Sequence, residues 1–184
     1  MALAQRRWAA EILHFWFHEL TPRDWWGGSG SLDNLCKERF RPELEALSVM
    51  PPASFLGDPR TALASVLLFD QMPRNIYRAT PRAFAFDPLA CAIAHGALDA
   101  GFDEALPRRR AQFLAMPLMH SERIADHHRS LEVFRRINGG RNLGFARSHY
   151  RMIARFGRYP HRNDILGRTI TKAEQRAIDA GFAW

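Results

Sequence analysis

The stretch DPRTALASVLLFDQMPRNIYR, residues 58–78, has the pattern of a helix with one apolar face. Asp58 followed by Pro59 is a typical helix start, because an aspartate can cap the first free N–H groups and proline fits the first helical position. The apolar residues that define the face are Leu63, Val66 and Leu67. Their spacing of three and four residues predicts an amphipathic helix after Asp58.

Two charged residues fall on this same apolar face. Asp70 lies in its middle, and Arg74 lies there too if the helix continues through Pro73. A buried carboxylate without a partner would be unfavourable, and residues four apart on a helix can pair. We therefore expect Asp70 to be buried and paired with Arg74. A structural ion pair and a binding or catalytic pair both stay open at this point.

The rest of the chain follows the same helical pattern. Further helices are predicted from Ala9 to Leu20, from Ser31 with a kink or break at Pro42, from Thr80-Pro81, from Asp87-Pro88, from Ser121 to Ile137, from Leu143 to Phe156 and from Thr171. Strand signals are almost absent, because β-branched residues are sparse and no long segment alternates polar and apolar residues. The prediction is an all-α fold in a single domain, residues 1–184, a length typical of one domain.

The charge of the chain is strongly biased towards arginine. There are 26 Lys+Arg and 19 Asp+Glu, a formal net charge of +7, and the only lysines are Lys37 and Lys172. The planar guanidinium suits carboxylates and phosphates, so the bias favours anionic partners or buried ion pairs. A GC-rich genome, whose codons favour arginine and alanine, explains the same composition without any functional role.

The expected compartment is the cytoplasm. Cys36 and Cys91 are far apart in sequence and form no disulfide framework, which fits a reducing environment. The first residues lack the uninterrupted apolar run of a signal peptide. No stretch approaches the roughly 20 apolar residues that span a bilayer, so no membrane association is expected.

Several titratable residues fall on apolar helix faces. His149 lies at the centre of an apolar stripe in the helix from Leu143, and the helix after Ser121 carries His127 and His128, with Glu122 and Asp126 expected to point the other way. Each histidine alone is explained by a hydrogen-bonded place in the core. Several such groups together suggest one shared pocket, the usual mark of a site.

Known site templates do not fit the sequence. It contains no HExxH, CxxC, GxxxxGK[ST] or GxSxG motif. His120, His149 and His161 could converge on a metal ion, but their spacing matches no ligand signature and no metal is expected. Arginines such as Arg108–Arg110 are scattered without interleaved aromatic residues, which argues against nucleic acid as a partner. Ser121 is interpreted as a helix cap rather than a nucleophile.

Three long motifs resemble a known protein family. They are LFDQMPRNIYR (68–78), MPLMHSE (116–122) and RFGRYPHRN (155–163), with PRAF (81–84), Asp87-Pro88 and LGR (166–168) as shorter matches. The chain resembles the domain-of-unknown-function family 924 over nearly its whole length. Met72 and Met119 depart from the phenylalanine and glutamate that are common there. The resemblance implies stacked antiparallel helix pairs, a right-handed array like that of tetratricopeptide-repeat proteins, and no established reaction or cofactor.

Two functional hypotheses remain. In the first, the protein binds a small anionic ligand, either for binding alone or as an enzyme, with arginines holding the anion and a histidine or carboxylate moving a proton. The candidate residues are Asp70, Arg74, Asn75, His120, Glu122, His149, His161 and Arg162. In the second, the protein is a helical-repeat module that holds a peptide or protein partner, and the polar cluster is structural.

Overall fold

The computed structural model describes residues 2–27, 29–138 and 142–182, and within these residues the chain is helical without strands. The α-helices are α1 (Ala2–His14), α2 (Pro22–Trp26), α3 (Gly30–Leu47), α4 (Pro59–Val66), α5 (Met72–Ile76), α6 (Asp87–Asp99), α7 (Arg108–His120), α8 (Ile124–Asn138), α9 (Leu143–Phe156) and α10 (Lys172–Asp179). Shorter 3₁₀ turns cover Pro52–Phe55, Pro81–Phe84 and Pro160–Arg162, and wider π turns cover Phe15–Glu19 and Leu67–Gln71. The prediction of an all-α fold is confirmed.

Helix α7 lies at the centre of the packing. It contacts α4, α6, α8 and α9, and every residue from Ala111 to Met119 is buried. The main core is continuous from α1 to α9. A small second core joins Met152 and Ile153 of α9 to Tyr159 and to Ala177 of α10. Because α7 ends at His120, this arrangement places the end of the most buried helix beside the segment around Tyr159.

The stretch from Asp58 forms one helical run, as predicted. The Asp58 carboxylate accepts hydrogen bonds from the N–H groups of Arg60 at 2.9 Å and Thr61 at 3.0 Å, so it caps α4. The run continues through the π turn into α5, and the N–H of Met72 donates to the carbonyl of Leu67, five residues back. Proline inside a helix lacks an N–H and crowds the preceding turn, and a wider turn relieves that crowding. The helix therefore survives Pro73.

The expected kink or break at Pro42 is not a break. Helix α3 runs without interruption from Gly30 to Leu47, capped by Ser29, whose hydroxyl accepts a hydrogen bond from the N–H of Leu32. Pro42 is exposed, so the helix loses only one hydrogen bond on its solvent side. Burial of Leu32, Cys36, Phe40 and Leu44 on the other side holds the helix together.

No helix in the described part of the chain is both long and apolar enough to cross a membrane. Packing between helices that follow one another, α6 with α7, α7 with α8 and α8 with α9, is extensive. The tetratricopeptide-like handedness of this stacking stays a prediction.

Candidate functional site

Asp70 is fully buried and contacts a histidine from another helix. It lies in the π turn that precedes α5, and both of its carboxylate oxygens face Nδ1 of His120, at 2.8 and 3.0 Å. The amide of Gln71 donates to the same carboxylate. Arg74 lies 3.3 Å from Oδ1 of Asp70 and also donates to its backbone carbonyl. The structure thus brings together Asp70, Arg74 and His120, three of the residues singled out in the sequence.

These contacts fix the protonation of the pair. Burial by itself raises the pKa of the Asp70 carboxyl, but its contacts with His120 and Arg74 outweigh burial and hold that pKa below its usual value. An ionised carboxylate only accepts hydrogen bonds, so Nδ1 of His120 must carry the proton. The second nitrogen of His120, Nε2, is then the basic one whenever the ring is neutral.

Asp87 joins two arginines, although the sequence pattern predicted it to be a helix cap. Helix α6 begins at Asp87 itself, with Phe86 in the cap position. The Asp87 carboxylate accepts two hydrogen bonds from Arg74, at 3.1 and 3.2 Å, and one from Arg162 at 3.0 Å. Two guanidinium groups, that of half-buried Arg74 and that of buried Arg162, are stronger partners for a carboxylate than backbone N–H groups. Burial lowers the pKa of Arg74, and the Asp70 and Asp87 carboxylates more than reverse that effect.

Arg162 is almost completely buried, with 7% of its surface exposed. Its guanidinium donates to the carbonyl of His120 at 3.0 Å and lies over the rings of Phe84 and Tyr159, 4.5 and 4.7 Å from their centroids. Burial, together with the positive charge of Arg74, lowers its pKa. The Nε–H group of Arg162 is buried and finds no acceptor among the described residues.

Two further histidines lie beside this group. The rings of His120 and His149 are 6.2 Å apart, and Tyr159 lies 5.7 Å from His149 and 5.4 Å from His161, centroid to centroid. Burial lowers the pKa of His149 to about 3, and burial with the nearby charge of Arg162 lowers the pKa of His161 to about 4. Both histidines are therefore neutral near pH ~7, where their ordinary pKa of about 6.5 would leave a fraction charged.

Glu122 borders the cluster, whereas Asn75 lies outside it. The Glu122 carboxylate accepts hydrogen bonds from the N–H of Tyr159 and from Arg168, both at 2.9 Å. The Asn75 amide instead donates to Asp33 of α3 at 2.9 Å. Sequence spacing placed Asn75 one residue after Arg74, and a helix turns about 100° between successive residues. That turn directs its side chain to α3.

The charges of the cluster balance. The carboxylates of Asp70, Asp87 and Glu122 face the guanidinium groups of Arg74, Arg162 and Arg168. With its histidines neutral the cluster carries no net charge. A pocket of about 460 Å³ adjoins it, lined by Pro160, His161, Asp164, Arg168, Ile170, Gln175 and Ile178.

A second polar group was missed by sequence reasoning. Asp126, expected to point away from the apolar side of α8, is 2% exposed. Its carboxylate accepts hydrogen bonds from the hydroxyl of Ser121 at 2.6 Å and the thiol of Cys91 at 3.4 Å, and His95 Nε2 lies 2.8 Å away. The apolar side of α8 was misjudged, because Ile124 is 41% exposed whereas His127, Ser130 and Val133 are buried on the same side as Asp126. Helix α6 supplies the polar partners. The spacing of Cys91 and His95, four residues apart, is the signal that could have found them.

These residues are also the ones that could hold a metal ion. Within the described ranges, the group of three whose potential ligand atoms all lie within 4.8 Å of one another is Cys91, His95 and Asp126. His120, His149 and His161, which the sequence left as an alternative metal group, do not form such a group in the part of the chain that the structure describes.

The two neutral histidines should give the stability a pH dependence. Unfolded, His149 and His161 bind protons near pH ~6.5, but folded they do so only near pH 3 and 4. Between these limits the unfolded chain holds more protons. The free energy of unfolding should therefore fall as the pH falls below ~6.5, by up to about 1.4 kcal/mol per pH unit for each histidine.

Urea denaturation at several pH values between ~7 and ~5 measures this slope. His149→Gln should reduce it, and His128→Gln should leave it unchanged because His128 is exposed. Equal slopes for the wild type and His149→Gln would contradict the burial of a neutral His149.

Comparison with known proteins gives one family and one solved structure. A family model described as a bacterial protein of unknown function (DUF924) matches residues 12–181. The solved structure of a protein of unknown function from Agrobacterium tumefaciens is 35% identical, with a TM-score of 0.87, and the match covers 94% of this chain and 97% of that one. A search of curated proteins found no match.

Proposed function

Since this chain belongs to the bacterial family DUF924, for which the matching model describes no activity, we propose from the site alone that it binds a small anionic ligand beside the Asp70–His120 pair. His120 transfers a proton to or from that ligand. The candidate residues are Asp70, Arg74, His120, Glu122, His149, His161 and Arg162, and Asn75 is excluded by its contact with Asp33.

The contact between Asp70 and His120 carries the proposal. A completely buried carboxylate makes two short contacts to one ring nitrogen of a histidine that is itself 13% exposed. This arrangement fixes the tautomer and orientation of the ring, which is the role of a carboxylate behind a general base. A histidine with that support and partial access to solvent is suited to proton transfer.

An anion could accept a hydrogen bond from the one arginine N–H that the cluster leaves without an acceptor. Both terminal nitrogens of Arg74 donate to Asp87, and those of Arg162 donate to Asp87 and to the carbonyl of His120. Neither guanidinium can therefore hold an anion with two hydrogen bonds unless some of these bonds break. The buried Nε–H of Arg162 still lacks an acceptor among the described residues. A carboxylate or phosphate oxygen would supply one, and the adjoining pocket, which His161 and Arg168 line, is the proposed entrance once side chains move to expose this N–H.

The size of the pocket agrees with a small ligand. Ligand pockets are commonly about 300–1,000 Å³, and the volume here, about 460 Å³, falls in that range. We also propose that residues 1–184 form one domain of stacked helix pairs that works in the cytoplasm. The continuous core from α1 to α9 and the two free thiols, Cys36 and Cys91, support this.

Thermal unfolding in the presence of inorganic phosphate, sulfate, acetate and citrate tests the proposal. An anion that binds the folded chain should raise the melting temperature, and one present at about 100 times its Kd adds about 2.7 kcal/mol to the free energy of unfolding. His120→Gln should reduce that gain, and His128→Gln should not.

In nuclear magnetic resonance, the bound anion should shift the imidazole signals of His120. Absence of any stabilisation across the panel, or equal stabilisation of His120→Gln, would overturn the proposal. The second hypothesis would then remain, in which the protein is a helical-repeat interaction module and the cluster is purely structural.

A further inference from the structure

We propose that Cys91, His95 and Asp126 form a zinc site, separate from the Asp70–His120 pair. Cys91 and His95 lie four residues apart on α6, and Asp126 faces them from α8. Their sulfur, nitrogen and oxygen atoms are all within 4.8 Å of one another. Thiolate, imidazole and carboxylate together are ligands that zinc prefers, whereas magnesium and calcium select oxygen alone.

The distances suit a tetrahedral ion after a small adjustment. Zinc binds nitrogen and oxygen at about 2.0–2.2 Å and sulfur at about 2.3 Å, so tetrahedral ligands lie about 3.3–3.7 Å apart. The Cys91 sulfur is 3.4 Å from one Asp126 oxygen, and His95 Nε2 is 2.8 Å from the other. His95 therefore has to move outward by roughly half an ångström, and its side chain, 33% exposed, has room to do so.

The surroundings of Asp126 also favour a cation. Asp126 is 2% exposed, and among the described residues its charged or chargeable partner is His95, with no arginine or lysine paired to it. Buried charges are normally paired with an opposite charge or coordinated to a metal. Ser121, which donates to Asp126 at 2.6 Å, would orient the carboxylate.

Arg129 opposes zinc binding, and this gives the proposal a specific consequence. A terminal nitrogen of Arg129 donates to Nδ1 of His95 at 2.7 Å, which places the histidine proton on Nε2, the atom that has to bind zinc. On binding, that proton moves to Nδ1, the Cys91 thiol proton leaves to solvent, and one proton is released for each ion. The hydrogen bond from Arg129 to His95 is then lost, and Arg129 keeps its contact with Asp99, at 2.5 Å.

Binding at Cys91 should depend on pH. A thiol with its ordinary pKa of about 8.5 is mostly protonated near pH ~7. A divalent ion that binds here has to displace that proton, so its affinity should increase with pH.

Titration of the full-length chain with Zn²⁺ and with Co²⁺ tests the site. We expect one ion per chain, with an absorption band from charge transfer between the sulfur and Co²⁺ that shows a thiolate ligand. Cys91→Ala should abolish the band and His95→Gln should weaken Zn²⁺ binding at least about tenfold. Cys36→Ala, the matched control at the other free cysteine, should keep the band.

Arg129→Gln separates a built site from incidental binding. It removes the donor that holds His95 in the wrong tautomer and keeps all three ligands, so Zn²⁺ affinity should rise by about tenfold. Its side chain is 28% exposed, so the variant should remain folded. No binding, binding unaffected by Cys91→Ala, or no gain in Arg129→Gln would each overturn the zinc site.

Discussion

Replacing Asp70 with alanine should lower the free energy of unfolding by about 3–5 kcal/mol, the usual loss when one partner of a buried ion pair is removed. Asp70 is fully buried, and the substitution leaves Arg74 with one carboxylate partner fewer and His120 without its acceptor. Denaturation by urea or guanidinium, followed by circular dichroism, measures the change. The effect should be among the largest of any single substitution of a charged residue in this chain.

A conservative variant and a control variant test whether the loss comes from the buried ion pair. Asp70→Asn keeps the volume and one acceptor oxygen, so it should lose less stability than Asp70→Ala. Glu104→Ala removes a carboxylate that also pairs with an arginine, Arg136, but both of those side chains are exposed, at 75% and 49%. Exposed pairs contribute roughly 0–1 kcal/mol. A loss near zero for Asp70→Ala would show that Asp70 does not occupy the buried position described above.

The second large effect is expected at Asp87. Asp87→Ala leaves the buried guanidinium groups of Arg74 and Arg162 without their shared carboxylate, and we expect a loss of about 3–5 kcal/mol. If Asp87 were only a helix cap, as its place before Pro88 indicates, the loss would be about 0.5–2 kcal/mol. The size of the loss therefore distinguishes the two roles.

A double-mutant cycle makes this distinction stronger. With Asp87→Ala in place, Arg162→Met removes one of the uncompensated charges and keeps an apolar stem over Phe84 and Tyr159. The double variant should be more stable than the sum of the two single losses predicts, with a coupling of about 0.5–3 kcal/mol. Simple additivity would contradict the ion pair between Asp87 and Arg162.

Much of the fold could be predicted because helix signals are local. Helix α9 begins and ends at the predicted residues, Leu143 and Phe156, since an apolar stripe and a following glycine mark both its face and its end. The capping role of Asp58 was equally visible, because the aspartate and the N–H groups that it binds are neighbours in sequence. The burial of Asp70 followed from one helix alone.

The parts of the site that could not be predicted depend on contacts between distant segments. Asp87 and Asp58 stand in the same local pattern before proline, but only Asp87 folds against Arg162, 75 residues later in the chain. Asp126 was assigned to the wrong side of α8, and the residues that meet it there, Cys91 and His95, come from α6. Local spacing identifies the face of a helix, whereas tertiary packing determines which neighbour meets it.

The π turn at Leu67–Gln71 makes assembly of the candidate site depend on the number of residues in this turn more than on which residues they are. Such a turn is equivalent to a single-residue insertion in an α-helix. Deleting one residue there would restore a regular helix, so the helical content of residues 59–76 should survive. Everything on one side of the deletion would rotate by about 100° relative to the other, however. Asp70 and Arg74 would then lose their alignment with His120 and Asp87, so a one-residue change in length separates formation of the helix from assembly of the site.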